Sequence, residues 1–408
     1  MATRSRVVVP LLLLAVAATV LYAAFVYQPP WRTWRPAPVV LPSPNGFDLF
    51  LQAAAVVDEP FYEHETAAER DETVSRNAAA LDTLRAGLKP ACYTPPPEDP
   101  SHWPPYDAHF RSLARVLARE SARAADQGRW AQAVGSRLDA IEFGIDQQAG
   151  ADTIGVLVGE AVEGIGQRGM AGLVGQLSAA EARAALQRAN AAAPRRPSLA
   201  EQMACEKEHG QRWMVWALDT HQWPRFVREE LFGYTAPEFQ WRHAVPLAVS
   251  AWPVRAWRDS ERSMDSVIAW ARQPYGTAEP PAAPPDQPFA DIFDPNSCRS
   301  AATKWAAADA NLALLRAALA LQAHRAERGA YPDELAALVP AYLEAVPTDP
   351  FDGKPLRYRR DGGSYVLYSV GPDRRDDGGR AIRDQQGEVS HVVFAESTGD
   401  IVWGVNDG

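Results

Sequence analysis

The sequence predicts a multidomain chain with an N-terminal transmembrane helix, an all-α helical domain and a small C-terminal α+β domain. Three observations predict it: an uncharged apolar run over residues 7–27, helical periodicity from Phe47 to about Gln273 without strand-like alternation, and a change of texture beyond Cys298. With 408 residues, 47% of them hydrophobic and 23% charged, the chain has room for two or three domains and is too apolar to be disordered throughout.

The first element is the apolar run. Residues 1–6 carry Arg4 and Arg6, and the run from Val7 to Tyr27 matches, as a helix, the roughly 30 Å hydrocarbon core of a bilayer. A cleaved signal peptide has a shorter core and a small-x-small site just beyond it, whereas this run closes on Phe25, Val26 and Tyr27, so a retained anchor is expected. Basic residues before the span predict that residues 1–6 stay cytoplasmic and that the bulk is extracytoplasmic, a single pass through the inner membrane. A proline-rich spacer over residues 28–44 follows, with Trp31, Arg32, Trp34 and Arg35 suited to headgroup depth.

Residues 45–275 read as the all-α domain. Phe110, Leu113, Val116 and Leu117 mark one helix face, Gly128 breaks the pattern, and Trp130, Ala133, Arg137 and Ala140 then fall at spacings resembling the second helix of a tetratricopeptide hairpin. Only one repeat is visible, and Arg137 stands where that pattern has an aromatic residue. Gly155, Gly159, Gly166, Gly169, Gly172 and Gly175 punctuate the next helical stretch and predict close backbone packing.

A second proline-rich linker, residues 276–300, precedes the C-terminal domain, residues 301–408. A helix from about Ala301 to Glu327 puts Trp305, Leu312, Leu315 and Leu319 on one face and stops at Gly329. Leu356–Arg360 and Tyr365–Ser369 alternate around a turn at Asp361-Gly362-Gly363, and further short strands are expected at His391–Phe394 and Ile401–Trp403.

These C-terminal residues carry a resemblance. The runs Gly329-Ala330-Tyr331-Pro332, Thr348-Asp349-Pro350 and Leu367-Tyr368-Ser369-Val370-Gly371-Pro372-Asp373, in that order, resemble the C-terminal domain of the major pseudopilin of type II secretion over roughly a quarter of the chain. The resemblance implies one long helix packed on a small antiparallel sheet. It also implies a calcium-binding loop formed by Leu367, Ser369, Asp373, Asp376 and Asp377, and calcium, with its 6–8 hard oxygen ligands, suits that donor set. Arg374 and Arg375 depart from the family pattern and could neutralise the loop instead of a metal. The apolar run lacks the prepilin-peptidase motif and the glutamate of pilus subunits, so polymerisation as a pilin is not expected.

A net charge of -10 argues against nucleic acid, which needs a concentrated basic surface. Cys92, Cys205 and Cys298 lack metal-ligand or redox spacing. Glu201, Cys205, Glu208 and His209 put metal-capable groups on one helical stripe, but no second element completes a site. No nucleophile elbow, phosphate loop or dinucleotide fingerprint is present, and a non-catalytic role is expected. The leading reading is an envelope protein that docks protein partners as an accessory of a type II secretion or pilus-like system. The alternative is glycan or peptidoglycan binding or processing by the Trp- and Arg-rich region from Trp213 to Trp270. The two differ in whether those tryptophans line a groove or interlock in a core.

Overall fold

The computed structural model describes residues 30–60, 64–97, 99, 106–220, 222, 253–282 and 295–406. Among them, after a short helical turn at Pro30–Thr33, eleven helices run in order: α1 Gly46–Val56, α2 Ala67–Arg76, α3 Ala78–Gly87, α4 Asp107–Asp126, α5 Trp130–Asp146, α6 Thr153–Gln167, α7 Met170–Val174, α8 Ala179–Ala192, α9 Leu199–Asp219, α10 Pro253–Ala271 and α11 Pro295–Arg328. Strands β1 Arg357–Asp361, β2 Ser364–Ser369 and β3 Ile401–Val402 form one antiparallel sheet in the order β1-β2-β3.

Local chemistry fixes the helix ends. The Asn45 side-chain oxygen accepts from the Phe47 and Tyr93 N–H groups, which caps α1 and ties it to the segment after α3. Thr66 with Glu69, Ser178 with Glu181 and Ser198 with Glu201 form reciprocal capping boxes at the starts of α2, α8 and α9. Gly128, at φ +69°, turns α4 into α5, and Gly329, at φ +80°, stops α11.

Glycine also sets how closely α5 and α6 cross. A Cβ on Gly144 would lie 2.6 Å from the Gly159 carbonyl oxygen, and one on Gly159 would lie 2.6 Å from that of Gly144. A Cβ on Gly166 would likewise meet Ile141 and the Arg137 carbonyl, whereas Gly172 faces open space. Part of the glycine pattern is therefore packing and part is not. Arg137 reaches from α5 to Ser121 of α4 at 3.2 Å and to the Ile165 carbonyl of α6 at 2.7 Å, so it bridges three helices.

Two cores result. Phe47 and Phe50 of α1, Leu81 and Leu84 of α3, Phe110 and Leu117 of α4 and Phe143 of α5 fill the first. The second runs from Leu138, Ile141 and Ile145 of α5 and Leu186 and Ala189 of α8, through α11, to Phe351, Leu367, Val370 and Ile401 around the sheet. From Leu312 to Ala323 the residues of α11 are buried all round except Arg316, because one side packs on the helices and the other on the sheet.

This second core corrects the expected fold class. The chain is mostly helical with a small three-stranded sheet, and the sheet shares α11 with the helical body instead of forming a separate α+β domain. The physical reason is the composition of α11, whose alanines and leucines leave no polar face along the middle of the helix. The membrane reading is corrected as well: among the described residues no helix is long and apolar enough to cross a membrane, and the apolar run 7–27 lies outside them. The inner-membrane placement is therefore withdrawn. No strand forms at His391–Phe394, where bends leave Val392 and Phe394 about half exposed.

A shared core has a measurable consequence. A fragment ending at residue 275 strips α11 from Ile145, Leu186 and Ala189, and is expected to unfold without a cooperative transition in circular dichroism. A cooperative melt close to that of the whole chain would contradict the shared core.

Candidate functional site

The acidic loop after β2 is assembled by long-range contacts. Asp349, fully buried, accepts from the Ser369 hydroxyl at 2.9 Å, the Val370 N–H at 2.8 Å and the Phe351 N–H at 3.0 Å, which anchors the end of β2. The Ser369 hydroxyl is thus engaged in holding the strand. The Leu367 carbonyl accepts from the Trp403 N–H at 3.0 Å beside β3.

The three loop carboxylates point to separate donors. Asp373 accepts from the N–H groups of Arg375 and Gly399, Asp376 accepts from the Tyr368 hydroxyl and the Gly378 N–H, and Asp377 pairs with Arg380 at 2.6 Å. Arg374 adopts a left-handed backbone at φ +60° and turns outward, where its guanidinium donates to the Gly276 carbonyl at 2.6 Å. Arg375 is exposed and forms no ion pair with any described residue. Arg380 with Asp377, rather than Arg374 or Arg375, supplies the closest charge pairing in the loop.

Sequence reasoning missed the carboxylate at the centre. Asp400, fully buried, accepts from the Asp377 N–H at 3.3 Å and the Gly379 N–H at 2.7 Å, and so closes the loop against β3. Burial first, then the charges of Asp376 and Asp377, push its carboxyl up to about 6 despite those two bonds. The signal available in the sequence was the acid directly preceding the strand pattern at Ile401.

The oxygen-only donor set suits a hard cation in kind. Among the described residues no three Asp, Glu, His or Cys side chains converge as a metal group. Convergence would require Asp373, Asp376 and Asp377 to leave Gly399, Tyr368 and Arg380.

A second concentration of charge lies inside the helical body. Asp139, Glu142 and Asp146 fall on one face of α5. Arg188 reaches Asp139 at 2.7 Å and Glu142 at 2.9 Å, Arg195 reaches Asp146 at 2.8 Å, and Arg85 bridges Asp139 and Glu120. Burial pushes the Asp146 carboxyl up to about 7 against the pull of Arg195. Deeper still, Arg196 forms a two-pronged pair with Glu163, which also accepts from the Gln148 amide at 2.6 Å. These acids hold helices together, and the Ser136 hydroxyl beside them donates to Glu120 at 2.6 Å.

The remaining sequence candidates are also engaged. Glu201 closes its capping box, Glu208 pairs with Arg212 at 2.6 Å, and His209 contacts the Gly150 carbonyl at 3.1 Å, so the metal-capable stripe does not gather. Cys92, Cys205 and Cys298 form no disulfide among the described residues, and burial pushes the thiols of Cys92 and Cys205 up, away from nucleophilic character. Trp257 is buried and packs edge-on to Trp34 at 5.7 Å, with Trp213 and Trp216 partly buried in the same cluster. Trp223, Trp241 and Trp252 lie outside the described residues. Trp270 and Trp305 line a cleft of about 750 Å³, but their indole N–H groups already donate to the carbonyls of Ala278 and Pro197.

No family model, curated protein or solved structure matches this chain.

Asp400 gives the loop a pH signature. Its folded carboxyl binds its proton more tightly than the unfolded one, so its stabilising contribution is fullest below about pH 4 and is lost as the pH rises through about 6. With a chelator present, the stability of the wild type relative to Asp400→Asn is expected to fall across that window in denaturant titrations. A difference that stays constant with pH would show that Asp400 does not titrate this way.

Proposed function

We propose that this chain is a non-catalytic docking protein that presents a pseudopilin-like C-terminal unit to protein partners, as an accessory of a type II secretion or pilus-like assembly. The observation that carries the reading is the mounting of that unit. The 34-residue α11 is gripped by α8, α6 and α7 on one side and by β2 and β3 on the other, so the sheet is held rigidly against the body. β1 is left as an open edge, with Arg359, Arg360 and Asp361 exposed. Charges on an open edge discourage indiscriminate strand pairing and favour a partner of complementary charge.

Two further observations support it. The carboxylates of the α5 face and of Asp349 are engaged in bonds that hold the fold, Asp349 with the Ser369 hydroxyl and the Val370 N–H. Trp213, Trp216 and Trp257 interlock in a small cluster, whereas Trp270 lines the 750 Å³ cleft with its indole N–H already donated to Ala278, which weighs against the glycan reading. Calcium remains our proposed ion for the loop formed by Leu367, Ser369, Asp373, Asp376 and Asp377, on the chemistry of its oxygen donors. Binding would require those carboxylates to regroup, and would appear as a calcium-dependent rise in melting temperature that chelator reverses.

The docking reading is tested by placing a photo-crosslinking residue at position 359 on the edge of β1 and, as a control, at exposed position 72 on α2. Crosslinking in cells is expected to give one discrete adduct from 359 and none from 72, and mass spectrometry should identify its partner as a secretion or pilus-like subunit. Adducts spread over unrelated proteins, or the same products from both positions, would contradict it.

A further inference from the structure

Helices α6 and α11 diverge beneath residues 391–393 and leave between them a cleft of about 470 Å³, within the range of small-molecule sites. Four polar side chains line it with no hydrogen bond from any described residue: the Glu160 carboxylate and Gln167 amide of α6, and the Lys304 ammonium and Asn311 amide of α11. Gln167 as a whole is 3% exposed. Glu160 and Lys304 carry opposite charges on facing helices yet form no ion pair with each other or with any described residue.

Unmatched groups of this kind restrict what the cleft can hold. A purely apolar ligand would bury two charges and two amides without partners. An anion would meet Glu160, with Glu163 behind it, and a simple cation would meet Lys304 and Arg168. Glu163 is already occupied by Arg196, so Glu160 has no guanidinium of its own. Burial first, and then the neighbouring Glu163, push the Glu160 carboxyl up to about 7 against the pull of Arg196 and Lys304. Around these groups the walls are aliphatic, with Leu157, Ile165, Ala307 and Val393.

We infer that this cleft binds a small zwitterion of the amino-acid type, with its ammonium on Glu160, its carboxylate on Lys304 and a short aliphatic side chain against Leu157 and Ile165. The amides of Gln167 and Asn311 complete the polar contacts. The same chemistry is offered by a free amino acid and by a dipeptide, and the cleft has volume for either.

The test is calorimetric titration of the full chain at about pH 8, where Glu160 is ionised. L-leucine and L-leucyl-L-alanine are the ligands, and N-acetyl-L-leucine and L-leucinamide are analogues that each keep one charge. Binding by L-leucine assigns the free amino acid, and binding by the dipeptide alone assigns the peptide. In either case the single-charge analogues are expected to bind about tenfold more weakly or worse, and Glu160→Gln and Lys304→Met to lose about tenfold or more. Both variants remove a side-chain group that makes no hydrogen bond with any described residue, and unchanged circular dichroism would confirm that they fold. Absence of heat from both ligands at millimolar concentration would overturn the inference. Analogues that bind as well as the zwitterion, or folded variants that bind as wild type, would also overturn it.

Discussion

The buried pair between Arg196 and Glu163 is the interaction on which the arrangement of the helices turns. Both side chains are almost entirely removed from water, at 2% and 1% exposure. Arg196 follows the short 3₁₀ turn Ala193–Arg195 that leaves α8, while Glu163 sits on α6. Glu163 also accepts from Gln148, whose own carbonyl oxygen accepts from Gln202 of α9 at 3.2 Å. One pair therefore joins α6, α9 and the chain leaving α5 and α8. Burying two charges costs several kcal/mol per ion before their attraction is counted, so such a pair persists only where its remaining bonds are satisfied. Loss of one partner strands the other, and that asymmetry makes the pair a strong lock.

The lock extends to the C-terminal half. Arg196 lies 3.9 Å from Asp309 of α11, and Trp305 of the same helix donates its indole N–H to the Pro197 carbonyl at 3.0 Å. α11 is thereby seated on the helical body at the level of the buried pair, and its far side carries the sheet. Rigidity passes from an ion pair in the helices to a strand edge by way of one helix that is apolar around its middle. The cleft between α6 and α11 opens beside this joint, so its floor is the Glu163 carboxylate that the lock already holds.

Much of the local structure was legible because its causes are local. Gly128 and Gly329 end helices through their left-handed backbone, and the Gly362-Gly363 turn pairs Asp361 with Ser364. What was hidden depends on partners distant in sequence. Leu312, Leu315 and Leu319 read as one buried face, but Leu314, Leu321 and the alanines between them form an opposite buried face, which only a second layer explains. The loop at 373–377 advertised its acids, while its organising carboxylate, Asp400, lies 23 residues beyond Asp377 and is brought back by β3. Arg374 and Arg375 were plausible neutralisers by adjacency, yet a left-handed residue at 374 turns its side chain out to Gly276. Val392, Val393 and Phe394 have strand composition, but among the described residues no strand pairs with them.

The measurement that bears most directly on this account is a double-mutant cycle at the buried pair, read by denaturant unfolding of the full chain. Arg196→Met and Glu163→Leu should each destabilise by about 3–5 kcal/mol, because each leaves a buried charge alone. The double substitution should cost far less than their sum, with a coupling well above 1 kcal/mol. Single losses below about 1 kcal/mol, or strictly additive effects, would show that the pair does not hold the helices together.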